Sequence, residues 1–428
     1  MREIRTLRST WRGLETWHGR DSVTLANERA RNREYKLRPK PARQSSTLPA
    51  GLPAGHPQFF VRGEGCYLWD VDGRKYLDFM CSWGPVVLGH RHPHVDEAAR
   101  RQMEQGDCLN GPTERMVELA ERLVGLVTHA DWAMFSKNGT DATTTCVTLA
   151  RAATGKRKIL LASGAYHGAV PWCSPYPYGV TAEDRAHAIY FKYNDIDSLE
   201  AAAGQAGSDL AGILVSAFRH DYGQDQELPD PAFAARARAL ADANEAALIL
   251  DDVRAGFRLT LHGSWDQIGV QPDLSAWSKA IANGYALAAV TGNERFRQAA
   301  SQLYATGSFW CGATSMAAAL ATIDVLQAEN GPEHMRRMGQ RLRDGIAAQA
   351  VRHGVAVRQS GPPQMPTILF EGDADYAKGS RFVLEALKRG VYLHPKHNMF
   401  LSLAHTAADI DAALAVTDEA FRVVAKLQ

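Results

Sequence analysis

Short apolar runs at 132–135, 158–162, 212–217, 246–250 and 286–291 alternate with longer stretches of helical periodicity, and no other feature restricts the fold as much. Strands that are apolar along their whole length are buried on both faces, and a helix in each interval lets successive strands run parallel. The pattern predicts an α/β chain with a mainly parallel sheet covered by helices. The last run, ALAAVTG, is weakly apolar and is expected at an edge or as an antiparallel strand. Before this region, FFVRGEGCYLWDVDGRKYLDFM (59–80) alternates and contains Asp72-Gly73, the pattern of antiparallel strands around a hairpin turn. Residues 94–126 carry helical patterning, broken near Asn110-Gly111-Pro112. After about residue 326 come an amphipathic helix (HMRRMGQRLRDGIAAQAVRHG), three short strands (PTILFEG, GVYLHP and MFLSL) and a final helix (AADIDAALAVTDEAFRVVAKL). The expected domains are 1–100 (arm and part of a small domain), 101–325 (large domain) and 326–428 (C-terminal small domain).

Composition removes several function classes. The 428 residues carry a formal charge of +1 and are 45% hydrophobic, enough for a large core. Nothing in that balance points to nucleic acid or an acidic membrane as the main partner. Basic residues gather only in 1–43, with ten Arg and two Lys against five acids. Trp11, Trp17 and Tyr35 favour an arm that packs on a partner subunit over a tail that binds RNA or lipid. The segment 44–57, QSSTLPAGLPAGHP, is an extended hinge. The opening residues have no apolar core of a signal peptide, and no apolar run reaches the roughly 18 residues of a membrane span. The six cysteines lack CxxC spacing and read as reduced, mostly buried thiols of a cytoplasmic protein without a metal site.

Four positions carry the chemistry. In WAMFSKNGTDAT a strand ends near Phe135, Gly139 permits a tight turn, and Thr140 is placed to cap the next helix. Such a terminus either binds a phosphate through its N–H groups and dipole or is ordinary capping. Tyr166, in SGAYHG, is either a ring that lies on a flat ligand or a core aromatic. Asp251 closes the buried run AALILDD, where its charge requires a partner. That partner is a protonated pyridine nitrogen, an N-terminal cap or a cation. Lys279, in DLSAWSKAIANG, follows a further apolar strand and precedes a glycine turn. Its order after Asp251 and the glycine cradle favours a reactive amine over a surface lysine. No GxGxxG, no Walker motif and no GxSxG frame around Ser278 is present.

Together these segments resemble the class III aminotransferase family of fold-type I pyridoxal-phosphate enzymes, in particular the branch around glutamate-1-semialdehyde 2,1-aminomutase. The resemblance spans roughly 55–420. CSWGPVVLGHRHPHV (81–95) is similar to the family's SWGP…GHxHP, KNGTDA (137–142) to NSGTEA, GAYHG to GxYHG, LDDVRAGFR (250–258) to FDEVxTGFR, and GVYLHPKHNMFLSLAHTAADID (390–411) to its C-terminal signature. The resemblance implies a seven-stranded-type sheet, pyridoxal 5′-phosphate as cofactor, and a homodimer with shared active sites acting on small molecules. It implies that Lys279 forms the internal aldimine and that Asp251 pairs with the pyridine nitrogen. Tyr166 and Val253 would flank the ring, and Asn138, Gly139 and Thr140 would hold the phosphate. Ser308 would reach the neighbouring subunit's phosphate. Trp83, Arg219 and Trp310 are candidate pocket residues. The implied reaction is transfer of an amino group between a donor and a keto or aldehyde acceptor. The alternatives are intramolecular transfer of the aminomutase type, racemisation, and a cofactor-free binding protein. Departures fall at Ser216-Ala217 in place of Glu-Pro, Asp252 in place of Glu, Lys137 in place of Asn, and Ala-Asn-Gly in place of the glycine run. The family's carboxylate-binding arginine near the N-terminus has no match.

Overall fold

The computed structural model describes residues 55–57 and 59–427. The arm at 1–43 and most of the hinge lie outside the described residues. Strands β1 (Phe60–Glu64), β2 (Tyr67–Asp70) and β3 (Lys75–Asp78) form an antiparallel meander. Its second turn contains Asp72-Gly73, as expected. The Asp70 carboxylate accepts the N–H groups of Asp72 and Arg74, each at 2.9 Å, and Gly73 takes a φ of 78°. Helices Pro93–Gln105 and Glu114–Leu126 follow, separated by the expected break.

The large sheet holds β4 (Trp132–Ser136), β5 (Lys158–Ala162), β6 (Ala188–Phe191), β7 (Leu210–Ser216), β8 (Ala247–Asp251), β9 (Leu274–Trp277) and β10 (Ala288–Gly292). They lie in the order β4-β10-β9-β8-β7-β5-β6. From β9 to β6 every pairing is parallel. β10 is antiparallel to both β9 and β4. It is therefore an interior strand and not an edge. Its small residues reflect crowding: a side chain at Gly292 would run into the Trp132 indole.

Alternation along the central strands sends side chains to opposite layers. Leu214 and Ile249 meet Cys146, Leu149 and Ala150 of the helix Gly139–Thr154. Ile213, Val215, Leu248 and Leu250 meet Leu199 of the helix Ile196–Ala206 and Phe233 of the helix Pro231–Ala243. Each fully buried side chain of this kind contributes about 1.5–3 kcal/mol. Two buried layers explain why these strands read as unbroken apolar runs.

The chain ends meet in a second sheet. β13 (Val391–Tyr392) pairs parallel with β3, placing Val391 opposite Leu77. β11 (Val357–Ser360) and β12 (Thr367–Phe370) form a separate antiparallel pair. The helices Gly331–His353, Ala377–Lys388 and Ala407–Val424 pack beside them. MFLSL is not a strand. Its N–H groups go one by one to different segments: Met399 to the Pro366 carbonyl, Phe400 to Phe79 and Leu401 to Gln364, at 2.7–3.0 Å. The segment is apolar because Phe400 and Leu401 are fully buried where these segments converge.

Candidate active site

The C-terminal ends of β4, β5, β8 and β9 open onto one cavity of about 310 Å³, the usual place for a ligand on a parallel sheet. Asn138, Gly139, Thr140, Tyr166, Asp251, Val253 and Lys279 all line it. A wider groove of about 570 Å³, lined by residues such as Leu259, His262 and Arg336, holds none of them.

After β4 the chain turns directly into the helix Gly139–Thr154. Asn138, not Thr140, is the N-cap, and its own N–H donates to Asp141 Oδ2 at 2.9 Å. This reciprocal use of position three is a capping box. Gly139 does not adopt a left-handed turn. It is required because a Cβ there would come within 2.6 Å of Val253 Cγ1. Gly168 approaches from the other side, where a Cβ would lie 2.6 Å from Thr140 Oγ1. Two glycines thus keep a shallow cradle open over the free N–H groups of a helix terminus.

After β5, the loop carries Tyr166 and His167. Tyr166 is 45% exposed, on the cavity side. The His167 carbonyl accepts from Thr143 Oγ1 at 2.7 Å, which ties the loop to the cradle helix. His167 Nδ1 lies 2.7 Å from Asp251 Oδ2. Asp251 Oδ1 accepts the Val253 N–H at 3.1 Å. Asp252 points away and is bonded by the N–H of Ser264 at 2.8 Å, and its burial raises its carboxyl to about 6.

Lys279 follows β9 in a left-handed backbone conformation, φ 48°. Burial is the main force on its amine, with Arg254 next, and together they overcome the opposing pull of Asp251 and bring the pKa down to about 7. Gly84 packs on its stem, where a Cβ would lie 3.4 Å from Lys279 Cδ. Gly84 ends a run of four left-handed residues, Cys81 to Gly84. Such conformations cost about 1–3 kcal/mol each at non-glycine residues. Buried Arg258 holds the run by donating to the Gly84 carbonyl at 2.7 Å and to the Leu401 carbonyl.

The other candidates lie elsewhere. Arg219 is outside the cavity lining, and its guanidinium is occupied by Asp221 and Glu227. Trp310 packs on Gly307, and Ser308 is exposed on the same segment, neither one lining this chain's cavity. Trp83 does not line the cavity, and its ring lies 4.9 Å from that of His397. Sequence reading gave no role to His167, His220, Lys137 or Arg254, all of which line the cavity. His167 lies in the GAYHG segment, Lys137 stands at a departure beside the cradle, and Arg254 occupies the open position of LDDVRAGFR; His220 had no such signal.

Residues 52–421 match the class-III aminotransferase family. The chain belongs to that family. Among curated class-III relatives, the aminopentol aminotransferase of Sphingopyxis macrogoltabida is 47% identical over 373 residues, covering 87% of this chain and 88% of the relative. A glutamate-1-semialdehyde 2,1-aminomutase of Neisseria gonorrhoeae is 33% identical, covering 88% and 94%. The FumI protein of Sphingopyxis sp. MTA144, solved in a PLP-bound form, superposes with a TM-score of 0.91 at 45% identity, covering 94% of this chain and 96% of that one. This class-III aminotransferase has the fold-type I architecture, and its cofactor is pyridoxal 5′-phosphate.

The site fits that cofactor. A capped helix terminus with two glycines that leave room suits a phosphate. A buried carboxylate fixed by His167 suits a ring cation. An amine with its pKa lowered to about 7 suits condensation with an aldehyde.

Proposed function

We propose that this aminotransferase takes the amino group of a primary amine and delivers it to a small carbonyl acceptor, with Lys279 as the reacting amine. The observation that carries this is the convergence of Lys279, Asp251 and the Asn138–Thr140 cradle on one cavity. The 47% identity to an aminopentol aminotransferase supports an amine donor that also carries hydroxyl groups.

When bound, the cofactor supplies an electron sink for the carbon that bears the amine. The residues of this chain supply the rest. Asn138, Gly139 and Thr140 would hold the phosphate. Asp251 would keep the ring nitrogen protonated, with His167 fixing the carboxylate. Tyr166 and Val253 would flank the ring. Lys279 Nζ, near neutral in pKa, would carry the proton between donor carbon and cofactor as base and then acid. The environment favours this role because a lysine of ordinary pKa would remain protonated at neutral pH.

The same reading takes 101–325 as the cofactor-binding domain and the chain ends as the small domain, in a cytoplasmic homodimer. Tyr304 and Phe309 are 92% and 68% exposed beside Ser308, which favours a second copy over this segment and a role for Ser308 in that copy's site.

The test is direct. The purified protein with pyridoxal phosphate should show a visible absorption band that is fixed by borohydride, and Lys279→Ala should lack it. A panel of amines, including long-chain amino alcohols and β-amino acids, should bleach the band, and a keto acid should restore it. Absence of the band in the wild-type protein overturns the reading.

A further inference from the structure

We propose that His220 recognises a hydroxyl group on the carbon next to the amine of the donor. The preferred donor is then a vicinal amino alcohol, and its product is an α-hydroxy ketone. This rests on the transamination reading and names the substrate feature that the site selects.

His220 sits in a hairpin that follows β7. The backbones of Arg219 and Glu227 exchange N–H···O bonds of 2.8 and 3.1 Å, and the Arg219 guanidinium spans Asp221 and Glu227. Three separate parts of the C-terminal region hold this hairpin. The Gln226 N–H donates to Ser360 Oγ at 2.9 Å, and its side-chain amide donates to the Met365 carbonyl at 3.0 Å. The Gly223 N–H donates to the Lys396 carbonyl at 2.8 Å, and the Gly223 carbonyl accepts from the Tyr376 hydroxyl at 2.9 Å. Asp225 pairs with Arg358. A side chain carried on so many fixed points keeps its place, as a recognition group must. The place of His220 is the wall of the cavity that holds Lys279.

The imidazole is free for a ligand. Its ring stands edge-on to Phe218 with centroids 5.4 Å apart, and among the described residues no other residue forms a hydrogen bond with it. Burial first, then the charges of Arg254 and Lys279, hold it well below its ordinary pKa, so it is uncharged at neutral pH. A neutral imidazole offers one donor and one acceptor, and a hydroxyl answers both. A carboxylate only accepts and an ammonium only donates, so each answers one. Because the charge of Lys279 reaches His220, the hydroxyl that it meets lies close to the carbon at which amino transfer occurs. β7, which leads to His220, and β4, which leads to the phosphate cradle, lie on opposite sides of β8 and β9 in the sheet. That order assigns His220 to the donor and the cradle to the phosphate.

The test uses the holoenzyme and compares 3-amino-2-butanol with 2-aminobutane, which differ by that hydroxyl alone. In wild type the amino alcohol should bleach the visible band with the larger second-order rate. The ratio of the two rates should fall about 10-fold in His220→Phe, which keeps a ring and loses its nitrogens. His220→Asn and His220→Gln each mimic one ring nitrogen, and one of them should restore part of the ratio. The N,N-dimethyl forms of the two amines cannot condense with an aldehyde. Calorimetric titration should show the same order of affinity for them in wild type and its loss in His220→Phe. Every variant is first shown to be folded by thermal unfolding. Equal ratios in wild type and His220→Phe overturn the proposal, as does a wild type without preference for the amino alcohol. A variant whose only change is the pH titration of the cofactor band also overturns it, since that places His220 on the cofactor. If no amine bleaches the wild-type band, the transamination reading fails, while the dimethyl pair still decides whether His220 recognises the hydroxyl.

Discussion

His167 Nδ1 and Asp251 Oδ2 are 2.7 Å apart and buried, and the Thr143 hydroxyl holds the backbone of the same histidine. The carboxylate at the end of β8 is therefore oriented from β5 through the cradle helix. Replacing His167 with Ala removes one charge-assisted bond to Asp251. Turnover should fall roughly 10- to 100-fold with little change in cofactor content. Asp251→Ala should leave a folded protein and lower turnover by at least about 100-fold. Steady-state rates beside circular dichroism check both, and near-wild-type turnover of Asp251→Ala would refute its assigned role.

The lowered pKa of Lys279 predicts how the cofactor-free protein behaves with pH. Only the neutral amine attacks an aldehyde. Because the folded pKa is depressed to about 7, the rate of cofactor loading should rise as pH increases from 6 to 8 and level off above. An ordinary lysine would keep rising toward about 10.5. Stopped-flow growth of the visible band distinguishes the two profiles.

Gly139→Ala puts a methyl group within 2.6 Å of Val253 Cγ1. Relief requires Val253 or the helix terminus to move, at a cost of about 1–3 kcal/mol. Cofactor affinity should drop by one to two orders of magnitude, read from equilibrium dialysis. Gly125→Ala, where nothing lies in the way, serves as the control and should bind cofactor as wild type does.

Arg258→Met removes the donor to the Gly84 and Leu401 carbonyls. Two buried acceptors lose their partner, so stability should decrease by at least about 2 kcal/mol. The left-handed run beside Lys279 should loosen with it. Urea unfolding measures the first effect, and protease cleavage within 81–84 measures the second.

The sheet was legible because β7 and β8 are buried on both faces and read as unbroken apolar runs. β6 was missed: only Ile189 and Phe191 are buried in this four-residue edge strand, and Tyr190 faces solvent. β10 reads as only weakly apolar because its alanines and glycine answer to crowding, which mimics weak hydrophobicity. Lys279 and Asp251 stood out through their order after strands. The hydrogen bonding of Arg254 did not, because it depends on His397 and Asn398, more than a hundred residues away. MFLSL shows the converse: apolar composition marks burial, and only the distribution of its N–H groups reveals that no ladder forms.

β13 joins β3 across the whole of the large sheet's sequence. During translation, the ribosome must extrude everything between Leu77 and Val391 before the two can meet, and His397 and Asn398 emerge later still. A nascent or prematurely terminated product can contain the lysine while lacking the two residues bonded to Arg254. Completion of this late segment is thus a condition for the wall behind Val253 as well as for closure of the second sheet.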